Sequence, residues 1–297
     1  MIFRVLVYLF APLILLSCTA KQNLDGLKSQ VAAELEKNHG DFAVAFKDLA
    51  TGEEILINER EPFHAASTMK TPVMMEAYKQ AEEGKFSLND SILIKNEFKS
   101  IVDSSFYSLK EEDDSDTLIY QLIGQMRPLS FLIYQMITVS SNLATNILIE
   151  KVDAKKVTQS LRDVGAKDIK VLRGVEDNKA FQAGLSNEVT AYDLMLVFEK
   201  LGKGEVVNSK ACEEMISVLL DQKYNTIIPA KLPSEVKVAH KTGWIKKLNH
   251  DSGLVNLPDG RKYVLILLSA KTEDEKAAIE SMATVSKMIY DYEIRSN

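Results

Sequence analysis

Hydrophobic periodicity changes twice along this 297-residue chain, and those two changes restrict the fold more than any other feature. Near the N-terminus Phe42, Val44 and Phe46 alternate with small residues, Thr51-Gly52 marks a turn, and Glu54 to Ile57 completes a two-stranded hairpin. The end of the chain returns to that two-residue period. Segments 236–245, 252–257 and 263–270 read as three strands, the last two joined by Pro258-Asp259-Gly260. Between these regions, from Phe86 to Leu201, the pattern is mostly helical with polar loops. Neither two nor three short strands make a good isolated sheet, so the ribbons are expected to join as five strands of an α+β fold.

Helices flank both strand regions. Leu27, Val31 and Leu35 recur at helical spacing up to Gly40, and Ile279, Met282, Val285, Met288 and Ile289 give the buried stripe of a last helix. Thr272, with Glu275 three residues on, has the form of a capping box for that helix. Another helix starts near Ser67. Pro72 is tolerated only in a first turn, which puts Ser67 at the positive helix start, and Gly84 ends the element.

Three short motifs occur in order: Ser67-Thr68-Met69-Lys70, Ser140-Ser141-Asn142 and Lys241-Thr242-Gly243. In a helix Ser67 and Lys70 share a face, which brings an amine within reach of the hydroxyl it must deprotonate. A bare serine is a poor nucleophile and needs a base, an anion-stabilising pocket and a proton route to the leaving group. Each fragment has a plainer reading: a helix N-cap for Ser67, an exposed helix lysine for Lys70, a polar turn for residues 140–142. The ordered triple argues against coincidence.

On these residues the chain resembles the class A β-lactamases, penicillin-recognising serine hydrolases whose motif set is a standing example of acyl-transfer chemistry. The resemblance implies a five-stranded antiparallel sheet flanked by the N- and C-terminal helices, with an inserted all-helical lobe and the active site in the cleft. The α/β lobe would cover about 24–64 and 225–297, and the helical lobe about 65–224. It implies Ser67 as nucleophile and Lys70 as a candidate base, with Ser140 passing a proton to the leaving nitrogen. Asn142 would bind Lys70 and the substrate's acylamide. Lys241 and Thr242 would grip a substrate carboxylate on a strand where Gly243 allows close approach. Backbone amides of Ser67 and Trp244 would form the oxyanion hole, and the Trp244 ring is either a substrate wall or a strand aromatic. Ser141 departs from the family's aspartate, which puts the rigidity of that turn in question.

Hydrolysis of the acyl group turns on the loop 173–178, where Glu176 matches the deacylating carboxylate and Asn146 the asparagine that steadies that loop. The family's next water-holding asparagine is replaced by Ala180, with Asp177 or Asn178 as substitutes, and a solvated acidic loop is the plainer alternative for Glu176. Three activities share the acylating set: a β-lactamase, a D-alanyl-D-alanine carboxypeptidase-like hydrolase acting on cell-wall peptide, and a non-turnover penicillin-binding sensor. The first is preferred.

Residues 1–17 carry Arg4 and an apolar run from Val5 to Leu16, too short for a spanning helix, and read as a secretory signal. Leu15-Leu16-Ser17-Cys18 resembles a lipobox, implying lipidation of Cys18 and a periplasmic, membrane-anchored domain from 18 to 297. Cys212 is the other cysteine and is expected to be buried and inert. A net charge of −6 disfavours nucleic-acid binding. His39, His64, His240 and His250 show no metal-ligand spacing, so no metal or cofactor is expected. The Glu111-Glu112-Asp113-Asp114 run reads as solvated surface, and a monomer is the expected state.

Overall fold

Helix α1 (Leu24–Leu35) begins the described part of the chain, residues 23–295 of a computed structural model. The expected signal segment and Cys18 lie outside those residues. Leu27, Val31 and Leu35 are buried, as their spacing requires, and Asn23 caps the helix by accepting from Gly26 N at 2.6 Å.

Strands β1 (Asp41–Asp48) and β2 (Glu54–Ile57) form the first hairpin. Strand β3 (Phe63–His64) leads into a 3-10 turn, Ala66–Met69, and then α2 (Lys70–Glu82). Pro72 sits in the first turn of α2, where its missing donor is tolerated. Residues 86–128 depart from the helical expectation. They hold short strands, β4 (Ser91–Leu93) paired with β7 (Met126–Pro128) and β5 (Phe98–Lys99) paired with β6 (Phe106–Tyr107), joined by irregular chain.

Helices α3 (Leu129–Thr138), α4 (Asn142–Val152) and α5 (Ala154–Asp163) follow. The short α6 (Asn178–Gln182) precedes β8 (Glu188–Val189), which pairs with β3. Then come α7 (Ala191–Gly202) and α8 (Ser209–Leu220), and Cys212 is buried between them and the core.

The meander β9 (Lys237–Ile245), β10 (Leu248–Asn256) and β11 (Lys262–Ala270) completes a sheet of order β2-β1-β11-β10-β9, antiparallel throughout. Val44 opposite Leu267 and Phe46 opposite Leu265 show the hairpin joined to the meander, as expected. Strand β10 begins four residues earlier than its sequence pattern indicated, because Asn249, His250 and Asp251 are buried polar residues with partners. Helix α9 (Glu275–Arg295) packs with α1 on one sheet face. The capping box is not formed. Asp274 caps α9 by accepting from Ala277 N at 3.0 Å, while the Thr272 hydroxyl is buried without a partner.

The two faces of the sheet bury separate cores. One includes Val44, Phe46, Leu265, Leu267, Met282 and Val285 under α1 and α9; the other includes Ala45, Ile266 and Leu268 and continues into the helical lobe through Met74, Leu148 and Phe198. Burying a leucine- or valine-sized side chain contributes about 1.5–3 kcal/mol, so these two layers fix the position of β9 relative to α2.

Candidate active site

The cleft lies where the end of β9, the turn before α2, the α3–α4 turn and the loop 173–178 meet. Its volume is about 560 Å³, within the range of small-molecule sites. Three non-glycine residues with positive φ line or border it: Ala66 (43°), Ser140 (62°) and Glu176 (61°). Each such conformation costs about 1–2 kcal/mol in an L-residue, and here all three sit beside residues with candidate chemistry.

Ser67 occupies the 3-10 turn and reaches the cleft. It does not act as a helix cap, since neither that turn nor α2 has a side-chain cap bond. Lys70, one turn on, is fully buried rather than exposed, and its Nζ donates to the Ser140 carbonyl at 2.8 Å, Ser140 Oγ at 3.2 Å and Asn142 Oδ1 at 2.8 Å. Burial lowers its pKa to about 7 against the opposing pull of Asp114 and Glu176. Lys241 is also fully buried and donates to Ser140 Oγ at 3.1 Å and to the Thr242 carbonyl at 2.9 Å. Its pKa is driven well below the ordinary lysine value, first by burial and then by the nearby Lys70 charge. Two amines therefore converge on one hydroxyl. With both donating to Ser140 Oγ, the Ser140 proton is left to point elsewhere.

Thr242 flanks Lys241 on β9, and Gly243 follows against the Ser67 turn. A Cβ on Gly243 would stand 3.1 Å from Ser67 N and 3.2 Å from Ala66 Cβ, a tight fit that glycine avoids where the strand meets the Ser67 turn. This contact juxtaposes the backbone at 243–244 with the Ser67 amide. Trp244 lines the cleft mouth and is 66% exposed.

The α3–α4 turn is braced by hydrogen bonds although Ser141 replaces the family's aspartate. Ser141 is buried and N-caps α4, accepting from Ala144 N at 3.2 Å. The larger brace comes from Asp114. Its carboxylate accepts from Asn142 N at 2.9 and 3.0 Å and from Leu143 N at 2.9 Å, at the positive end of α4. Asp114 is therefore buried structure and not solvated surface, whereas its neighbours Glu111, Glu112 and Asp113 stay out of the core. No local pattern separates Asp114 from that acidic run; its partner turn is distant in sequence.

The loop carrying Glu176 is pinned from two sides. Asn146 Oδ1 accepts from Val175 N at 2.7 Å while Nδ2 donates to the Val175 carbonyl at 3.0 Å. Tyr107 adds its hydroxyl, donating to that same carbonyl at 3.3 Å, and is a support the sequence did not disclose. A Cβ at Gly174 would fall 2.4 Å from Asn146 Oδ1, so a larger residue there would have to displace the Asn146 side chain that holds the loop. Asp177 accepts from Ser100 Oγ at 2.9 Å, Ile101 N at 3.0 Å and Ala180 N at 3.1 Å, which occupies it as a brace. Glu176 itself borders solvent in the cleft, and its pKa is raised by partial desolvation and by Asp113, opposed by Arg173 and Lys70. Asn178 lines the same cleft, and Ala180 is buried.

The four histidines have other work or none in the cleft chemistry. His240 bridges Asp251 Oδ1 at 2.8 Å and Asn225 Oδ1 at 3.0 Å, and His250 Nε2 lies 3.0 Å from the His64 carbonyl. Among the described residues no group of three His, Cys, Asp or Glu side chains could hold a metal ion.

The profile of the Beta-lactamase enzyme family matches residues 26–293. A β-lactamase of Bacteroides uniformis is 26% identical over 305 aligned positions, covering 96% of this chain and 98% of its own length. Among solved structures, a β-lactamase from Sphaerobacter thermophilus has a TM-score of 0.77 at 22% identity, covering 91% of this chain and 97% of that one. PBP-A has a TM-score of 0.77 at 24% identity, covering 90% and 96%. At those identities the two structures establish the fold.

Proposed function

We propose that this chain, which belongs to the Beta-lactamase enzyme family, is a serine β-lactamase that acylates Ser67 and hydrolyses the acyl group with water activated by Glu176. The observation that carries the reading is the buried Lys70–Ser140–Lys241 network beside Ser67, with Glu176 in the same cleft.

Neutral Lys70 takes the Ser67 proton as Oγ attacks the lactam carbonyl, and the amides of Ser67 and Trp244 receive the developing oxyanion. The C–N bond then breaks. Ser140 gives its proton to the leaving nitrogen and is reprotonated from the lysine pair, leaving an ester on Ser67. Lys241 and Thr242 hold the substrate carboxylate, and Asn142 orients Lys70 and the acylamide. In the second half Glu176 removes a proton from water, the hydroxide adds to the ester carbonyl, and the adduct collapses as Glu176 returns that proton to the departing Ser67 Oγ. Of the two substitutes for the family's asparagine, Asn178 is the one this reading assigns to that water, because Asp177 is committed to Ser100 Oγ and Ile101 N.

A D-alanyl-D-alanine carboxypeptidase-like activity is the second reading, favoured by one observation: Ala180 stands where the family carries that asparagine. Steady-state hydrolysis of a chromogenic cephalosporin separates the two, since the peptidase-like reading gives a one-equivalent burst followed by only slow turnover. We further propose export, cleavage before Cys18 and lipid anchoring to a bacterial membrane, supported by Leu15-Leu16-Ser17-Cys18. Labelling with a palmitate analogue is expected in the parent and absent in Cys18→Ala; equal labelling contradicts the anchor.

A further inference from the structure

Two histidines, one on β3 and one on β10, bond to the main chain that leads into Ser67. His64 Nδ1 accepts from Ala66 N at 3.1 Å, closing a side-chain turn immediately before the nucleophile. Buried His250 reaches the same segment from the sheet, its Nε2 donating to the His64 carbonyl at 3.0 Å. That carbonyl is the acceptor a 3-10 turn would offer to Ser67 N, three residues on. Here it serves His250 instead, Ala66 takes its φ of 43°, and Ser67 N has no acceptor among the described residues. An amide left without an internal partner is what an oxyanion hole requires.

Each ring has one tautomer that satisfies its neighbours. An Nδ1 that accepts from an amide carries no proton, so His64 holds its proton on Nε2. In the same form His250 donates from Nε2 and accepts at Nδ1 from Ser269 N at 3.2 Å, while the Asn249 carbonyl, 3.0 Å from Nδ1, takes its proton from Ser269 Oγ at 2.8 Å. Burial lowers the His250 pKa to about 4; burial and the Arg173 charge, opposed by Glu188, hold His64 below the ordinary histidine value. Both imidazoles are therefore neutral near pH 7. Their orientations are fixed as well, since Phe63 meets His250 edge-on at 5.8 Å and Phe181 meets His64 edge-on at 6.3 Å. Neither ring hydrogen-bonds to Lys70, Ser140, Lys241 or Glu176, so the pair acts on Ser67 through the backbone.

We propose that His64 and His250 are positioning residues for acylation, which together set the main chain at 64–66 so that the Ser67 amide is left for the oxyanion. This rests on the acyl-transfer reading, and its test needs no hydrolysis of the acyl group. With the chain lacking residues 1–18 in excess over a chromogenic cephalosporin, the colour change reports lactam opening in a single turnover. Varying the protein concentration then gives the saturating rate and the half-saturating concentration separately.

His64→Ala should lower the saturating rate about 10- to 100-fold at a nearly constant half-saturating concentration. His64→Asn, whose Oδ1 accepts from the amide two residues on as in an Asx turn, should restore the rate to within about threefold of the parent. At 250 the preference reverses. His250→Gln, whose amide nitrogen takes the place of Nε2, should keep the rate, and His250→Asn, too short to reach the His64 carbonyl, should lose it. An unchanged rate in His64→Ala overturns the positioning role and leaves the acyl-transfer reading standing. So does a loss that His64→Asn does not recover, or one matched by an equal rise in the half-saturating concentration. Where His64→Ala does not fold, the two His250 variants decide, and equal rates in them overturn the proposal. No lactam opening by the parent rejects the acyl-transfer reading and the proposal with it.

Discussion

The acylating side of the cleft and the Glu176 loop are held by different kinds of contact. On the acylating side, Lys70 and Lys241 are fully buried and meet at Ser140 Oγ, and the Asp114 carboxylate locks the α3–α4 turn through backbone amides. Each group there has several partners, so removing one leaves buried charge uncompensated. The loop side is a strand of irregular backbone hung from Asn146, Tyr107 and Asp177, with Glu176 bordering solvent. A site can therefore keep its ability to form an acyl-enzyme while its ability to hydrolyse it varies with a few loop contacts. That separation distinguishes a lactamase from its acylating relatives.

The largest effect should come from the nucleophile itself. Ser67→Ala removes the acylation step and should lower kcat by roughly 10⁴- to 10⁶-fold, measured by hydrolysis of a chromogenic cephalosporin. A residual rate within tenfold of the parent would relocate the chemistry.

On the loop side, Asn146→Ala leaves the Val175 amide without its acceptor, and each unpaired buried group costs about 1–3 kcal/mol. Stopped-flow traces should show deacylation slowed roughly tenfold or more with acylation within about threefold. Equal slowing of both steps would erase the division between the two sides.

Acylation should also carry the titration of Lys70. With a pKa of about 7, its base form is scarce below that pH and predominates above it, so the acylation rate should rise roughly tenfold between pH 6 and pH 8. If Glu176 is the deacylation base, as proposed, its ionised form is required, and with its pKa raised from the usual carboxylate value deacylation should also increase with pH. A flat acylation profile across that range would remove Lys70 as the base.

The smallest effect expected on chemistry, but a clear one on stability, is Asp114→Ala. Losing a charged acceptor for the Asn142 and Leu143 amides should cost about 2–3 kcal/mol, lowering Tm by roughly 5–10 °C in thermal unfolding. An unchanged Tm would mean that Ser141 alone braces the turn.

The same contrast explains what could be read from the chain. The sheet was legible because alternation at Phe42–Phe46 and 263–270 leaves few other uses for those residues. The start of β10 was hidden by Asn249-His250-Asp251, polar residues that are buried only because distant groups, including His240 and the His64 carbonyl, complete their hydrogen bonds. The motif residues Ser67, Lys70, Ser140, Asn142 and Lys241 announced themselves through ordered spacing; the structure places Ser67, Ser140 and Asn142 on one cleft, with buried Lys70 and Lys241 both bonded to Ser140. Asp114, Tyr107 and Glu275 did not, since an acid in an acidic run, a loop tyrosine and a helix-start glutamate acquire meaning only from tertiary partners. Thr272 and Glu275 mimicked a capping box for the same reason: local pattern offered one partner and tertiary contact supplied better ones.

The most direct measurement is a pre-steady-state progress curve with a chromogenic cephalosporin, run on the chain lacking residues 1–18 and on Glu176→Gln, with intact-protein mass taken at intervals. The account predicts sustained turnover in the parent, and in Glu176→Gln a one-equivalent burst followed by a persistent adduct on Ser67. A one-equivalent burst without turnover in the parent, or unimpaired turnover in Glu176→Gln, would contradict it.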